Sequence, residues 1–185
     1  MKNSNRLTFF TLGDENKASS RVRAYWIATE LMSFLNVSIL FGNPKWSFLK
    51  FLRAVLVSDF IIFQKCYTRY HLYLIKLAKL TGKKTYIDID DAPSKNQHPV
   101  TLSYFAKCCS TANAVLAGSP YLVQFSKKYQ QHTHYLPTAV KTSNYKAVQP
   151  LSGGLPVIGW IGNGEHYKYD LIKVLLPALL QIQIP

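Results

Sequence analysis

Short runs rich in β-branched and aromatic residues alternate along the chain with longer stretches whose apolar positions recur every three or four residues. Residues 7–12, 37–41, 59–64, 84–90, 114–117 and 134–136 read as strands. Between them the helical period predicts helices over 21–35, 48–57, 69–80, 99–112 and 121–129. In the first of these, Val22, Trp26, Ile27, Glu30, Leu31 and Phe34 give a mostly apolar stripe, and Ser19 and Ser20 stand before it as N-cap candidates. Gly118-Ser119-Pro120 is a compact start signal for the last, with Ser at the cap and Pro in the first turn. Strand–helix–strand units repeated in this way predict an α/β fold, a Rossmann-like parallel sheet with helices on both faces.

The period fails between residues 146 and 156, where two prolines and Ser152-Gly153-Gly154 read as a linker. Beyond it, 157–161 reads as a new strand, Gly162-Asn163-Gly164 as a turn, and 169–182 as an apolar helix that Pro177 would kink or interrupt. One strand and one helix cannot enclose a core. The sequence therefore divides into a Rossmann-like domain over 1–145, a linker, and an incomplete second domain over 157–185.

Charge changes the picture more than composition does. With 48% hydrophobic and 17% charged residues the chain is too apolar to be disordered. Its 22 Lys and Arg oppose 9 Asp and Glu, a formal net charge of +13, and the whole excess precedes residue 150. Such an imbalance implies a polyanionic neighbour. On a helix running from residue 45, Trp46, Lys50 and Arg53 fall on one line, beside an apolar face of Phe48, Leu49, Leu52, Val55 and Leu56. That helix can lie on anionic lipid headgroups with its Trp at the interface, or pack on the sheet with its basic face in water. Nucleic acid is not an expected partner, because no recognition-helix, zinc-finger or RNP pattern is present. No apolar run reaches the ~20 residues of a membrane span, and the run at 7–12 passes straight into Asp14 and Glu15, unlike a signal peptide. Three cysteines, Cys66, Cys108 and Cys109, are an odd number with an adjacent pair, which fits a reduced compartment. The expected location is cytoplasmic, extending to peripheral contact with the inner face of a membrane.

Candidate chemistry follows the strand ends, where open parallel sheets bind ligands. After the first strand, Ser19, Ser20, Arg21 and Arg23 gather hydroxyls, backbone N–H groups and guanidinium groups at a helix start, an anion cradle or simply a capped helix with solvated arginines. After the fourth come Asp88, Asp90 and Asp91. A carboxylate there can act as general base on a hydroxyl. The same Asp-x-Asp spacing also holds divalent metal in one sugar-transferring fold, and a plain acidic strand end is the third alternative. Gly162 and Gly164 flank a turn that lets backbone approach a phosphate, or that is merely tight. The five histidines lack zinc spacing, and neither a Gly-x-Ser-x-Gly elbow nor a Lys-Ser/Thr phosphate loop occurs.

Six segments, taken in order, resemble the family-four-like glycosyltransferases of the GT-B fold. They are Ala18-Ser19-Ser20-Arg21-Val22-Arg23-Ala24-Tyr25, Asp59-Phe60-Ile61-Ile62-Phe63-Gln64-Lys65, Tyr86-Ile87-Asp88-Ile89-Asp90-Asp91, Val115-Leu116-Ala117-Gly118-Ser119, Leu136-Pro137-Thr138-Ala139-Val140 and Val157-Ile158-Gly159-Trp160-Ile161-Gly162. The resemblance implies a first domain that binds a sugar or lipid-linked acceptor and a second, truncated here, that binds a nucleotide-sugar donor. It implies sugar transfer to an acceptor hydroxyl in cell-surface polysaccharide or glycan synthesis, without metal or other cofactor. Asp90 or Asp91 stands where relatives commonly carry a His and would be the base. Ser19, Ser20, Arg21 and Arg23 would hold acceptor or phosphate, while Gly162, Asn163, Gly164 and Lys168 would meet the donor diphosphate. Relatives often have Arg where Asn163 stands. The 185-residue chain is expected to be inactive alone, and a non-enzymatic α/β module for an anionic ligand or membrane surface is the competing expectation.

Overall fold

A computed structural model of the chain describes residues 5–42, 47–91, 93, 99–146, 158–162, 164–165 and 167–182. The chain separates into two units, Met1–Tyr145 and Lys146–Pro185.

The first unit is built on six parallel strands: β1 (Arg6–Thr11), β2 (Asn36–Phe41), β3 (Phe60–Gln64), β4 (Lys84–Ile89), β5 (Ala114–Ala117) and β6 (Thr133–Tyr135). Their order across the sheet is β2-β1-β3-β4-β5-β6. Helices flank it, giving the Rossmann-like α/β architecture that the alternating pattern predicts. Side chains alternate along each strand, so β1 sends Leu7 and Phe9 to one face and Phe10 to the other.

On the Leu7 side lies a helix spanning residues 18–31, made of α1 (Ala18–Ser20), a π turn (Arg21–Tyr25) and α2 (Trp26–Leu31). Its buried Ser20, Ala24 and Ala28 recur every four residues, and their small size brings the helix axis close to the sheet. The Phe10 side carries α3 (Phe48–Val57), α4 (Arg69–Leu80), α5 (Pro99–Thr111) and α6 (Pro120–Lys127). They enclose the larger core with Ile61, Phe63, Ile87, Ile89 and Val115, each 0% exposed. Ser119 caps α6 by accepting from the Leu122 N–H, and Pro120 follows in the first turn, as the start signal requires.

Three expectations need correction. The first helix begins at Ala18, and neither Ser19 nor Ser20 caps it; Lys17 holds the cap position without a side-chain bond. Asp14 is the reason, because its carboxylate accepts from the Asn16 N–H at 3.0 Å and its carbonyl from the Lys17 N–H at 3.2 Å, turning the chain early. On α3 the buried side chains are Phe51 and Val55, while Leu49 and Leu56 face outward rather than joining the apolar face. Residues 158–161 form no strand; an alternating sequence becomes one only beside a hydrogen-bonding neighbour. Val157 lies outside the described residues.

In the second unit α7 (Lys168–Asp170), a π turn (Leu171–Leu175) and α8 (Leu176–Leu180) run on without a break. The wide turn stands just before Pro177, where the ring has no N–H to donate and needs room against the preceding turn. Among the described residues no helix is long and apolar enough to cross a membrane. Cys66, Cys108 and Cys109 are free and buried.

One buried histidine gives the fold a pH signature. His71 sits in the first turn of α4, whose cap Thr68 accepts from the His71 N–H at 3.3 Å and lies 2.9 Å from its Nδ1. Burial lowers its pKa to about 4 from an ordinary 6.5. The unfolded chain therefore binds more protons between these values, so stability falls as pH drops from 6.5 to 4, by at most about 1.4 kcal/mol per pH unit. Urea unfolding at several pH values should show this slope, and His71→Leu should flatten it. An unchanged slope in the variant would assign the acid sensitivity elsewhere.

Candidate functional site

The strand order reverses between β1 and β3, because the chain leaves β1 one way to form β2 and recrosses it to form β3. Ligands of open parallel sheets sit at the carboxyl edge beside such a reversal. Four segments meet at this edge: the turn and helix start after β1, Gln64 and Lys65 at β3, residues 88–91 at β4, and Gly118 with Ser119 after β5.

Alternation along β4 turns Ile87 and Ile89 into the larger core and Asp88 to the opposite side, toward the first helix. There the Arg23 guanidinium meets it with two donors: Nη2 donates to Asp88 Oδ1, and Nε donates to Oδ2 at 3.2 Å. Arg23 Nη1 donates to the Leu136 carbonyl at 2.7 Å and to Thr138 Oγ1 at 3.4 Å. The Arg23 side chain is 0% exposed. It is therefore a fixed internal group, and its expected part in gripping acceptor or phosphate is corrected. Burial pushes the Asp88 carboxyl above its ordinary pKa, with the guanidinium pulling the other way.

Ser20 is likewise turned inward. Its hydroxyl donates to Gln64 Oε1 at 3.0 Å, and the Leu12 N–H donates to the same oxygen at 3.3 Å. That N–H can only donate, which fixes the amide orientation. Gln64 is 3% exposed, and its Nε2 has no partner among the described residues. Ser20 thus has no hydroxyl free for a ligand, a second correction. Ser19 is half-buried, and Arg21 is half-buried with Nη1 3.5 Å from the Glu15 carbonyl.

Lys65 gathers the two outer carboxylates of the edge. Its backbone is left-handed at φ 53°, a region that side chains other than glycine enter at a cost of ~1–2 kcal/mol. Its Nζ lies 2.8 Å from Asp90 Oδ1 and 2.5 Å from Asp91 Oδ2. Burial opposes the ammonium charge, but the two carboxylates outweigh it and raise the Lys65 pKa. The Asp90 side chain is 16% exposed and that of Asp91 74%, so Asp91 is the one open to solvent. Nearby, burial and Asp90 push the Tyr67 hydroxyl up. A Cβ at Gly118 would lie 3.3 Å from Asp90 Cα and 3.3 Å from the Ile89 carbonyl oxygen; glycine lets β5 end this close to β4.

The other expected residues belong to other elements of the chain. Gly162, Gly164 and Lys168 are exposed in the second unit, and a Cβ at Gly162 would fall 2.6 Å from Trp160 Cζ2. Lys50 and Arg53 are exposed on α3. Asn163 and Trp46 lie outside the described residues. Gln64 and Lys65 are the site residues that pattern reading passed over, although two long polar side chains closing the apolar run of β3 are a visible signal. A hollow of about 360 Å³ lies at the opposite edge, lined in part by Arg6, Thr8, Ser38 and Ser58. Its hydroxyls are already chained, the exposed Ser38 to the buried Thr8 at 2.9 Å, Thr8 to the buried Ser58 at 2.7 Å, and Ser58 to the Ala54 carbonyl at 2.6 Å.

Two stability measurements follow from these contacts. Arg23→Met leaves Asp88 buried and unpaired and should lower the unfolding free energy by about 3–5 kcal/mol, while adding Asp88→Leu should recover part of the loss. Additive losses would mean the two groups do not act as a pair. Lys65→Ala and Lys65→Gly both remove the ammonium, so their difference isolates the backbone: glycine should be the more stable by ~1–2 kcal/mol. Equal stabilities would mean Lys65 is not held left-handed.

No protein-family model matches the chain, and no curated protein matches it significantly.

Proposed function

We propose that the first unit is the acceptor-binding part of a glycosyltransferase that moves a sugar from a nucleotide-sugar donor to an acceptor hydroxyl, in polysaccharide or glycan synthesis. The observation that supports this most is the Lys65–Asp90–Asp91 cluster at the carboxyl edge, beside the strand-order reversal. In this reading Asp91, the exposed carboxylate, takes the proton of the acceptor hydroxyl as its oxygen attacks the anomeric carbon, and the nucleotide leaves as the diphosphate. Lys65 fixes Asp91 in place, and Asp90 keeps the ammonium compensated when Asp91 turns to the substrate. The donor diphosphate falls to Gly162, Asn163, Gly164 and Lys168 of the second unit, and the step calls for no resident metal. The acceptor is a sugar or a lipid-linked sugar, met through neutral hydroxyls, since the edge carries Asp14, Glu15, Asp90 and Asp91 and its Arg23 is sealed inside.

The test uses the chain joined to a complete nucleotide-sugar-binding domain, with radiolabelled nucleotide sugars and membrane lipid extract. Asp91→Asn should lose ~10²–10⁴ of turnover, with acceptor binding and melting temperature retained. Asp90→Asn should lose less, chiefly in KM. Full turnover in both variants would refute a base at this position. Activity that requires added divalent ions and both carboxylates would favour the Asp-x-Asp metal alternative, and ligand binding without any transfer would favour a non-enzymatic module.

A further inference from the structure

The four helices on the Phe10 side, residues 48–57, 69–80, 99–111 and 120–127, contain seven Lys or Arg and neither Asp nor Glu. Exposed helices ordinarily intersperse the two signs, because opposite charges three or four residues apart stabilise and like charges repel. Lys76 and Lys79 are such a like-charged pair, three apart and both exposed. The missing negative charge would then have to come from outside the molecule.

The shape of the surface says from what. Helices α3 and α4 pack side by side, and the inward Phe51 and Val55 of α3 and Leu74 and Ile75 of α4 fix which sides face out. Outward on α3 stand Leu49, Arg53 and Leu56, at i, i+4 and i+7, with Leu49 77% exposed. Outward on α4 stand Arg69, Tyr73, Lys76 and Leu80, with Leu80 85% exposed. Apolar side chains thus stand among the bases. Arg69 lies over the Tyr73 ring, 5.7 Å from its centroid, and Lys76, Lys79, Leu80 and Thr111 line an open groove of about 340 Å³.

We propose that the outward faces of α3 and α4 dock the protein on an anionic lipid bilayer, with the leucines entering the headgroup layer and the bases meeting lipid phosphates. A nucleic acid would satisfy the bases but leave Leu49, Leu56 and Leu80 in water, whereas an interface takes both kinds of side chain. This surface is separate from the carboxyl edge, so the proposal stands whether or not sugar transfer is found.

Sedimentation of the full chain with vesicles tests it. Binding to phosphatidylcholine vesicles containing a third phosphatidylglycerol should exceed binding to pure phosphatidylcholine by at least ~10-fold, and should weaken with salt. Lys76→Glu with Lys79→Glu should lose ~10-fold or more, each base near the surface being worth about fivefold. Leu49→Ser with Leu80→Ser should also weaken binding several-fold while the salt dependence persists, and Lys141→Glu, on the other side of the sheet, should change little. Unaltered melting temperatures establish that the variants are folded. Equal binding to neutral vesicles, or wild-type binding by both double variants, would overturn the proposal. Wild-type binding by the leucine variant together with tighter binding to heparin or RNA would replace it with a polyanion surface.

Discussion

A guanidinium with no access to water survives only where other oxygens replace the ones it gave up, and the first unit is organised around such a group. Arg23 comes from the π turn, Asp88 from β4, and Leu136 from the segment leaving β6. One side chain therefore ties the helix of residues 18–31 to the middle of the sheet and to its far strand. The wide turn and the small side chains of Ser20, Ala24 and Ala28 bring the helix near enough for that reach. Ser20 then falls against Gln64, and Gln64 against the end of β1. The geometry of the carboxyl edge is a consequence of this pairing.

Three carboxylates lie within four residues and meet three different environments. Asp88 is still on the strand, turned toward the first helix, and its charge is absorbed by Arg23. Asp90 and Asp91 stand past the last ladder residue, Ile89, where Lys65 can reach both. The left-handed backbone of Lys65 matters here, since an extended residue at that point would continue β3 instead of folding its side chain toward β4. Strain at one residue and glycine at another, Gly118, let three strand ends converge on the same few ångströms.

The regular elements were legible because local signals agreed with tertiary placement. The helices over 48–57 and 69–80 match their observed limits, and β5 matches residue for residue; apolar runs and breaks fall together there, and Thr68 caps the second helix. The start of the first helix was not legible, because the Asx turn at Asp14 competes with two serines that look equally suitable as caps. Arg23 looked like a ligand-gripping residue for the same reason that Asp88 looked like a possible base: a sequence shows charge but not which charge will be buried against which. Gln64 and Lys65 stand out in the sequence only as polar residues ending an apolar run, and strand order gives them their partners. The polar residues of residues 65 and 88–91 become one cluster only after β3 and β4 are placed side by side.

The segregation of charge in the first unit links its two surfaces. Of its seven acids, Asp14, Glu15, Asp88, Asp90 and Asp91 lie at the carboxyl edge, whereas α3 to α6 have none. An anionic bilayer against α3 and α4 would attract the helical face while keeping the carboxylates out of the repulsive layer, which reaches about one Debye length, ~8 Å at physiological salt. The two surfaces nevertheless meet. Each flanking helix starts at the carboxyl edge, and Arg69, the first residue of α4, follows Lys65 by only four positions. Lys65 marks the boundary between them: it pairs with Asp90 and Asp91 at the edge, and the first base of the helical face, Arg69, follows four residues later.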